Sequence, residues 1–258
     1  MQGAGPLRMR YHIDTIPVWD ALKHGAGCPL CALRRKTERR LVERALGASV
    51  MSPDSRIKVN RTGFCRTHQQ MLYNAPGGNR LGHALMMLSH LQETRSRLPR
   101  LLDTGAPGGK LAGLFRKGKD ASGGPRSPAD SAGCVLCEEL DEQSRRHAAS
   151  FLHLWKTDAA FQAAYQQSVG VCLPDAQALL LLAPDFLSAR EQAGFRGLLE
   201  SQLAAALQAL ESDLSRFTQK SDYRNAELPW GDAKDALERT VNHLRGWCLG
   251  KEPLKDER

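Results

Sequence analysis

Apolar residues along the chain recur mostly at helical spacing. After Cys31, the positions Leu33, Thr37, Leu41, Val42 and Ala45 fall on one stripe. After Cys137, Leu140, Ala148, Phe151, Leu152 and Trp155 do the same. The segment "NRLGHALMMLSHLQETRSRL" places Leu81, Leu85, Leu88 and Leu91 on one side. From 186 to 217, Phe186, Leu198, Leu199, Leu203, Ala206, Leu207, Leu210, Leu214 and Phe217 predict one long helix or two consecutive ones. Only "YHIDTIPV" at 11–18, rich in β-branched residues, predicts an extended piece. The pattern predicts an all-α fold.

Glycine and proline break this pattern at 104–133, which reads as a linker or long loop. The segments on either side match in layout. Residues 1–103 hold "CPLC" at 28–31 and "CRTH" at 65–68. Residues 134–258 hold "CVLC" at 134–137 and "CLPD" at 172–175. The inner gap is 33 residues in the first segment and 34 in the second. Gly63 and Gly170 each stand two before the third cysteine, and Leu72 and Leu179 seven after it. Agreement in both spacing and flanks reads as a duplication. The expected architecture is two duplicated helical zinc-binding units, at 1–103 and 134–258, packed with a long C-terminal helical region.

The repeated residues are metal ligands by type and spacing. Two side chains at i, i+3 share one side of a helical turn. Cys28/Cys31 and Cys134/Cys137 each precede a helical stripe and Cys65/His68 opens an apolar run, where free N–H groups and the helix dipole favour thiolates. Cys28, Cys31, Cys65 and His68 are therefore expected to form one tetrahedral Cys₃His site for Zn²⁺. Cys134, Cys137, Cys172 and Asp175 are expected to form a second site. There aspartate replaces histidine, and three outcomes stay open: a Cys₃Asp site, a Cys₃–water site or an empty relic. An iron–sulfur cluster stays open too, although a histidine ligand favours zinc.

Composition sets the class. At 41% hydrophobic and 25% charged, the 258 residues are those of a soluble globular protein. No apolar run is long enough for a membrane helix, so no membrane partner is expected. The N-terminus lacks the apolar stretch of a secretory signal, which predicts a cytoplasmic protein with reduced thiols. Seven cysteines, with Cys248 standing alone, fit a disulfide framework poorly. Charge is uneven: residues 1–133 carry 22 Lys+Arg against 9 Asp+Glu, and the remainder 14 against 19. The basic runs "RRKTERR" at 34–40 and "FRKGK" at 115–119 admit a nucleic-acid partner, or a solvated helix face.

The stretch from "YHIDTIPVWD" through "GCPLCALRRKTERRLVERALGASVMSPDSRIKVNRTGFCRTHQQMLY" resembles a bacterial family of unknown function common among Firmicutes. The family's mark is "CPLC" followed by "SVM.PD.R…N..GFC..H". "NRLGHALMMLSHL" and "SDYRNAELPWGDAKDALERT" resemble it as well, so the similarity covers nearly the whole chain. It implies a metal-binding, helical, intracellular protein with no established activity. Asp175 departs from the histidine expected of such repeats. The pattern also draws attention to Met51, Asp54, Arg56 and Asn60 in one connecting loop. That polar set would line a binding surface or serve as turn chemistry. Tyr223 and Trp230 would anchor a helix connection or form an aromatic patch.

Three functions fit these observations. The first is a structural-zinc interaction or regulatory module with a protein partner. The second is nucleic-acid binding through the basic N-terminal half. The third is a metalloenzyme using an open Cys₃ second site. No H-E-x-x-H, G-x-S-x-G, P-loop or G-x-G-x-x-G motif is present to support catalysis.

Overall fold

A computed structural model of the chain describes residues 14–25, 27–101, 133–220, 222–225 and 229–250. The linker expected at 104–133 and the basic run at 115–119 lie outside the described residues, Gly133 excepted. Every regular element among the described residues is helical. In chain order the α-helices are α1 (Ile16–His24), α2 (Pro29–Leu46), α3 (Pro53–Thr62), α4 (Arg66–Asn74), α5 (Arg80–Leu101), α6 (Val135–Thr157), α7 (Ala159–Gln166), α8 (Leu173–Leu182), α9 (Ala189–Gln219) and α10 (Ala236–Arg245).

The chain divides into two compact units. One joins Met1–Thr37 to Glu142–Arg258, and the other is Glu38–Asp141. The division falls inside α2 and inside α6. The discontinuous unit has a core of Val18, Leu22, Leu33, Phe151, Leu152, Phe161, Tyr165, Leu179, Phe195 and Leu199. Phe151 is its centre, edge-on to Phe161 at 5.1 Å and to Tyr165 at 5.0 Å. Such aromatic pairs contribute about 0.5–1.5 kcal/mol beyond the area they bury. Asp158 caps α7 and also accepts a hydrogen bond from the Trp19 indole at 3.1 Å, which fixes α1 against α7. In the continuous unit, Leu41, Val42, Ala45, Leu46, Leu72, Leu136 and Leu140 pack together. Val50, Val59 and Met86 form a smaller cluster under Phe64.

Most of the predicted stripes are buried as expected. Leu33, Leu41, Val42 and Ala45 of α2 are buried, as are Leu140, Ala148, Phe151 and Leu152 of α6. From Ala189 on, the 186–217 pattern is one helix of 31 residues, opened by a capping box between Ser188 and Glu191, and Phe186 precedes it.

Three expectations are corrected. Residues 16–18 are helical and not extended. Pro17 stands in the first turn of α1, where no N–H is missed, and Val18, Ala21 and Leu22 bury one face. That burial outweighs the β preference of isolated Ile and Val. Residues 53–62, expected as loop, form α3: Ser52 accepts from Ser55 N–H, Pro53 follows, and Asp54 favours the positive helix end. On α5 the leucine stripe faces out, with Leu81, Leu88 and Leu91 more than half exposed. The opposite side, carrying Gly82, His83 and Met86, is the buried one. A Cβ at Gly82 would stand 2.7 Å from the Val50 side chain, so this face was chosen by close approach and not by apolar bulk.

Phe151→Ala should cost about 3–5 kcal/mol, because it empties the middle of a closed aromatic cluster. Urea unfolding of the two proteins at equal metal content measures it.

Candidate metal centres

The four sequence pairs occupy the same local position. Each begins a helix with one member at the N-cap and the other three residues on. Cys65 caps α4 and Cys172 caps α8, with nearly identical backbone angles (φ −69°, ψ 167° and φ −69°, ψ 163°). The Cys28 carbonyl accepts the Ala32 N–H at 3.1 Å, and the Cys134 carbonyl accepts the Glu138 N–H at 3.0 Å, which opens α2 and α6. N-cap and third positions are those that normally satisfy the free N–H groups of a helix start. Here thiols, an imidazole and a carboxyl stand in for the usual capping groups.

Gly63 and Gly170 hold φ at +71° and +74°, a region that favours glycine. At Gly63 a side chain would also meet the His90 ring at 2.8 Å. The turn lets the Gly63 carbonyl accept the Val135 N–H at 3.2 Å, which docks the start of α6 beside the start of α4.

The pairs come together crosswise. Cys65 and His68 meet Cys134 and Cys137, while Cys28 and Cys31 meet Cys172 and Asp175. Within each group all ligand atoms lie within 4.8 Å of one another. The expectation that Cys28 and Cys31 would meet Cys65 and His68 is therefore corrected. Equal spacing in the two segments is satisfied just as well when the segments exchange partners, and linear order cannot distinguish the two. Each group lies wholly within one compact unit.

In the histidine group, His68 Nδ1 stands 3.2 Å from the sulfur of Cys65, 3.4 Å from Cys134 and 3.3 Å from Cys137. Cys65 and Cys137 sulfurs are 3.7 Å apart. Zinc bonds at tetrahedral angles set edges of about 3.5 Å for S···N and about 3.8 Å for S···S. Behind the ring, Nε2 is 3.3 Å from Glu38 Oε1, an ion-pair distance and longer than a tight hydrogen bond. Glu38 and His68 are both buried. A carboxylate in this position fixes the tautomer that leaves Nδ1 free to bind a metal.

In the aspartate group, Asp175 Oδ2 stands 2.9 Å from Cys28 sulfur and 3.2 Å from both Cys31 and Cys172. Cys31 and Cys172 sulfurs are 3.5 Å apart. The carboxylate therefore takes the same vertex as the imidazole, shorter though its side chain is. Around it, the Trp247 N–H donates to Cys31 at 3.2 Å. The fully buried Tyr165 hydroxyl, close to the Val171 backbone and the Cys28 thiol, has no hydrogen-bond partner of normal geometry.

Electrostatics show what each group lacks. Burial works against charge on His68, but its bonds to Cys134 and Glu38 raise its pKa to about 10. Burial also opposes the Cys134 thiolate, yet the His68 imidazolium and the Cys65 and Cys137 backbone N–H groups bring it down to about 6. Cys137 is pushed up by burial and by the Cys134 charge. In the other group, hydrogen bonds from Cys172 and Cys28 bring Cys31 down to about 3, against burial. Cys28 is then raised by burial and its thiol neighbours. Asp175 is pushed up to about 6 by burial and by the Cys31 charge. Each group thus concentrates ionisable ligands that cannot all deprotonate without a cation among them. Soft sulfur donors at tetrahedral spacing fit zinc.

The other residues singled out are not part of these groups. Arg56 Nε donates to the Val50 carbonyl at 3.1 Å. The Asn60 carbonyl accepts from Arg97 at 2.6 Å and lies 3.3 Å from His90 Nδ1, while Asn60 Oδ1 is buried without a partner. Trp230 packs on Phe217 at 5.8 Å, whereas Tyr223 is 86% exposed and does not anchor the connection. Glu38 was missed by the sequence reading. Its signal was present: it is an acid on the buried stripe of α2, three, four and seven residues before Leu41, Val42 and Ala45.

The chain belongs to a family of unknown function, DUF6062, whose model matches residues 9–251. No curated protein matches the chain, and no solved structure does.

Mild oxidation of the metal-free protein should join Cys31 to Cys172 and Cys65 to Cys137. Peptide mass spectrometry reads these links, and a Cys31–Cys65 link would contradict the crossed arrangement.

Proposed function

We propose that this chain is a two-centre zinc protein, with one ion held by Cys65, His68, Cys134 and Cys137 and another by Cys28, Cys31, Cys172 and Asp175. The observation that carries this reading is the convergence of two complete ligand sets at four helix starts. Sulfur separations of 3.5–3.7 Å suit a single ion and leave no room for iron and bridging sulfide. Both groups sit against apolar cores, which is where a fold-stabilising ion belongs. The ions would tie α4 to α6 and α2 to α8.

The role that follows is a structural-zinc interaction or regulatory module of the cytoplasm with a protein partner. Asp175 fills the fourth vertex of its group, which argues against an open Cys₃ site for catalysis. Three of the five α2 arginines are engaged within the fold: Arg34 with Ser144, Arg35 over the Trp247 ring, Arg44 with Glu139. This argues against a continuous phosphate-binding strip on that helix. The matching glycine turns and helix caps support descent of the two halves from one duplicated unit.

Metal analysis of the purified protein should give two zinc equivalents per chain. Cys28→Ser/Cys172→Ser should lose one equivalent, and Cys28→Ser/Cys65→Ser both. Absence of bound metal in the wild type would refute the proposal. The reverse pattern in the double variants would refute the crossed centres.

Glu38→Gln should weaken metal binding at the histidine centre about 10–100-fold while leaving the aspartate centre unchanged. Competition with a chromogenic chelator measures it, and Glu38→Ala should weaken binding at least as much.

A further inference from the structure

We propose that the ion at the Cys28, Cys31, Cys172 and Asp175 centre controls the docking of the C-terminal helix α10, so that this centre acts as a metal-responsive latch. The inference rests on the zinc reading above and adds a regulated element to one of its two centres.

α10 packs on α8 and α9 but buries little apolar surface. Of its residues only Ala236 is fully buried, and Leu237 and Leu244 are 50% and 42% exposed. A ten-residue helix with so little burial is not stable on its own. Its far end is instead held by a short loop. Asn242 Oδ1 accepts the N–H groups of Cys248 and Leu249 at 2.8 and 2.9 Å, and its Nδ2 donates to the Leu249 carbonyl at 2.9 Å. Gly246 turns the chain at φ 82°, and the Trp247 N–H is thereby aimed at the Cys31 sulfur. The Trp247 ring lies under the Arg35 guanidinium at 4.5 Å. His243, one turn back, has a buried Nε2 with no hydrogen-bond partner.

The loop thus bonds to a ligand on α2 while its helix rests on α8 and α9. The ion joins the same two bodies, Cys31 at the start of α2 and Cys172 at the start of α8. An ion bound there would hold that register, and with it the Cys31 sulfur where the Trp247 N–H reaches it. Charge strengthens the coupling. Three thiolates and a carboxylate around a dication carry one more negative charge than three thiolates and an imidazole. A buried anion of that kind needs donors outside the ligand set, and N–H bonds to charged acceptors are the stronger ones. Coupling between two such events is reciprocal: if the ion favours docking, docking favours the ion by the same factor.

The test follows amide exchange in full-length protein while zinc is withdrawn by a graded chelator, with metal counted by native mass spectrometry. Exchange at 236–250 should rise at least about tenfold as the aspartate centre empties, and should not respond to the histidine centre. Cys172→Ser should reproduce the rise and Cys134→Ser should not. Because Cys172→Ser removes a ligand from a buried core, Gly246→Ala decides the matter if that variant fails to fold. It keeps every ligand but strains the positive-φ turn. It should lower the chelator concentration that empties the aspartate centre by about tenfold, with no change at the histidine centre. Two bound ions with 236–250 indifferent to either, or an unchanged midpoint in Gly246→Ala, would overturn the latch alone. No bound zinc in the wild type would overturn the zinc reading and the latch with it.

Discussion

Buried ligand atoms that repel one another when ionised are the constraint on which this structure depends. Each group places three thiols and a fourth acidic or basic side chain within 4.8 Å, two of the four residues buried and two half-buried. Such an arrangement survives only if protons or a cation sit among the donors, since an unpaired buried charge costs far more than any one contact returns. The local devices around the groups answer that demand. Helix starts direct N–H groups and positive dipole ends inward. At the histidine group the positive-φ Gly63 docks the start of α6 beside the start of α4. Apolar residues close round the outside: Leu72, Leu136 and Leu140 on one group, Tyr165, Val171 and Leu179 on the other.

The two groups meet the constraint differently. In one, the His68 ring stands between the sulfurs and the buried Glu38 carboxylate, so that this negative charge lies on the far side of the ring from the sulfurs. In the other, the carboxylate stands among the sulfurs themselves, and compensation comes from the main chain of a segment more than two hundred residues distant. One substitution in a repeated motif therefore changes which part of the protein must be present to complete the surroundings.

Most of the helices and the identity of the eight clustered residues were legible because they rest on local periodicity and spacing. The stripes of α2 and α6, the capped start of α9 and all eight clustered residues follow from patterns a few residues long. What was not legible is non-local. The exchange of partners between segments leaves every spacing intact. The inward face of α5 was chosen by Gly82 and Met86 against bulkier leucines, which depends on how near α3 and its preceding turn lie. Glu38 looked like one charge in a mixed run, and only its register with Leu41 and Ala45 marked it as buried.

The crossed pairing makes one closure lie inside the other along the chain. Cys65 to Cys137 is contained within Cys28 to Asp175. Closing the inner group first removes its span from the outer search and leaves the stretches of 33 and 34 residues on either side, roughly half the length otherwise to be closed. Loop-closure entropy then favours the outer group by about 0.6 kcal/mol, a small equilibrium effect. The larger consequence is one of order. The first four of these residues to be made form two pairs, Cys28 with Cys31 and Cys65 with His68, that belong to different groups, and each pair must wait for residues made later. Synthesis completes the inner group at Cys137 and the outer one only at Asp175.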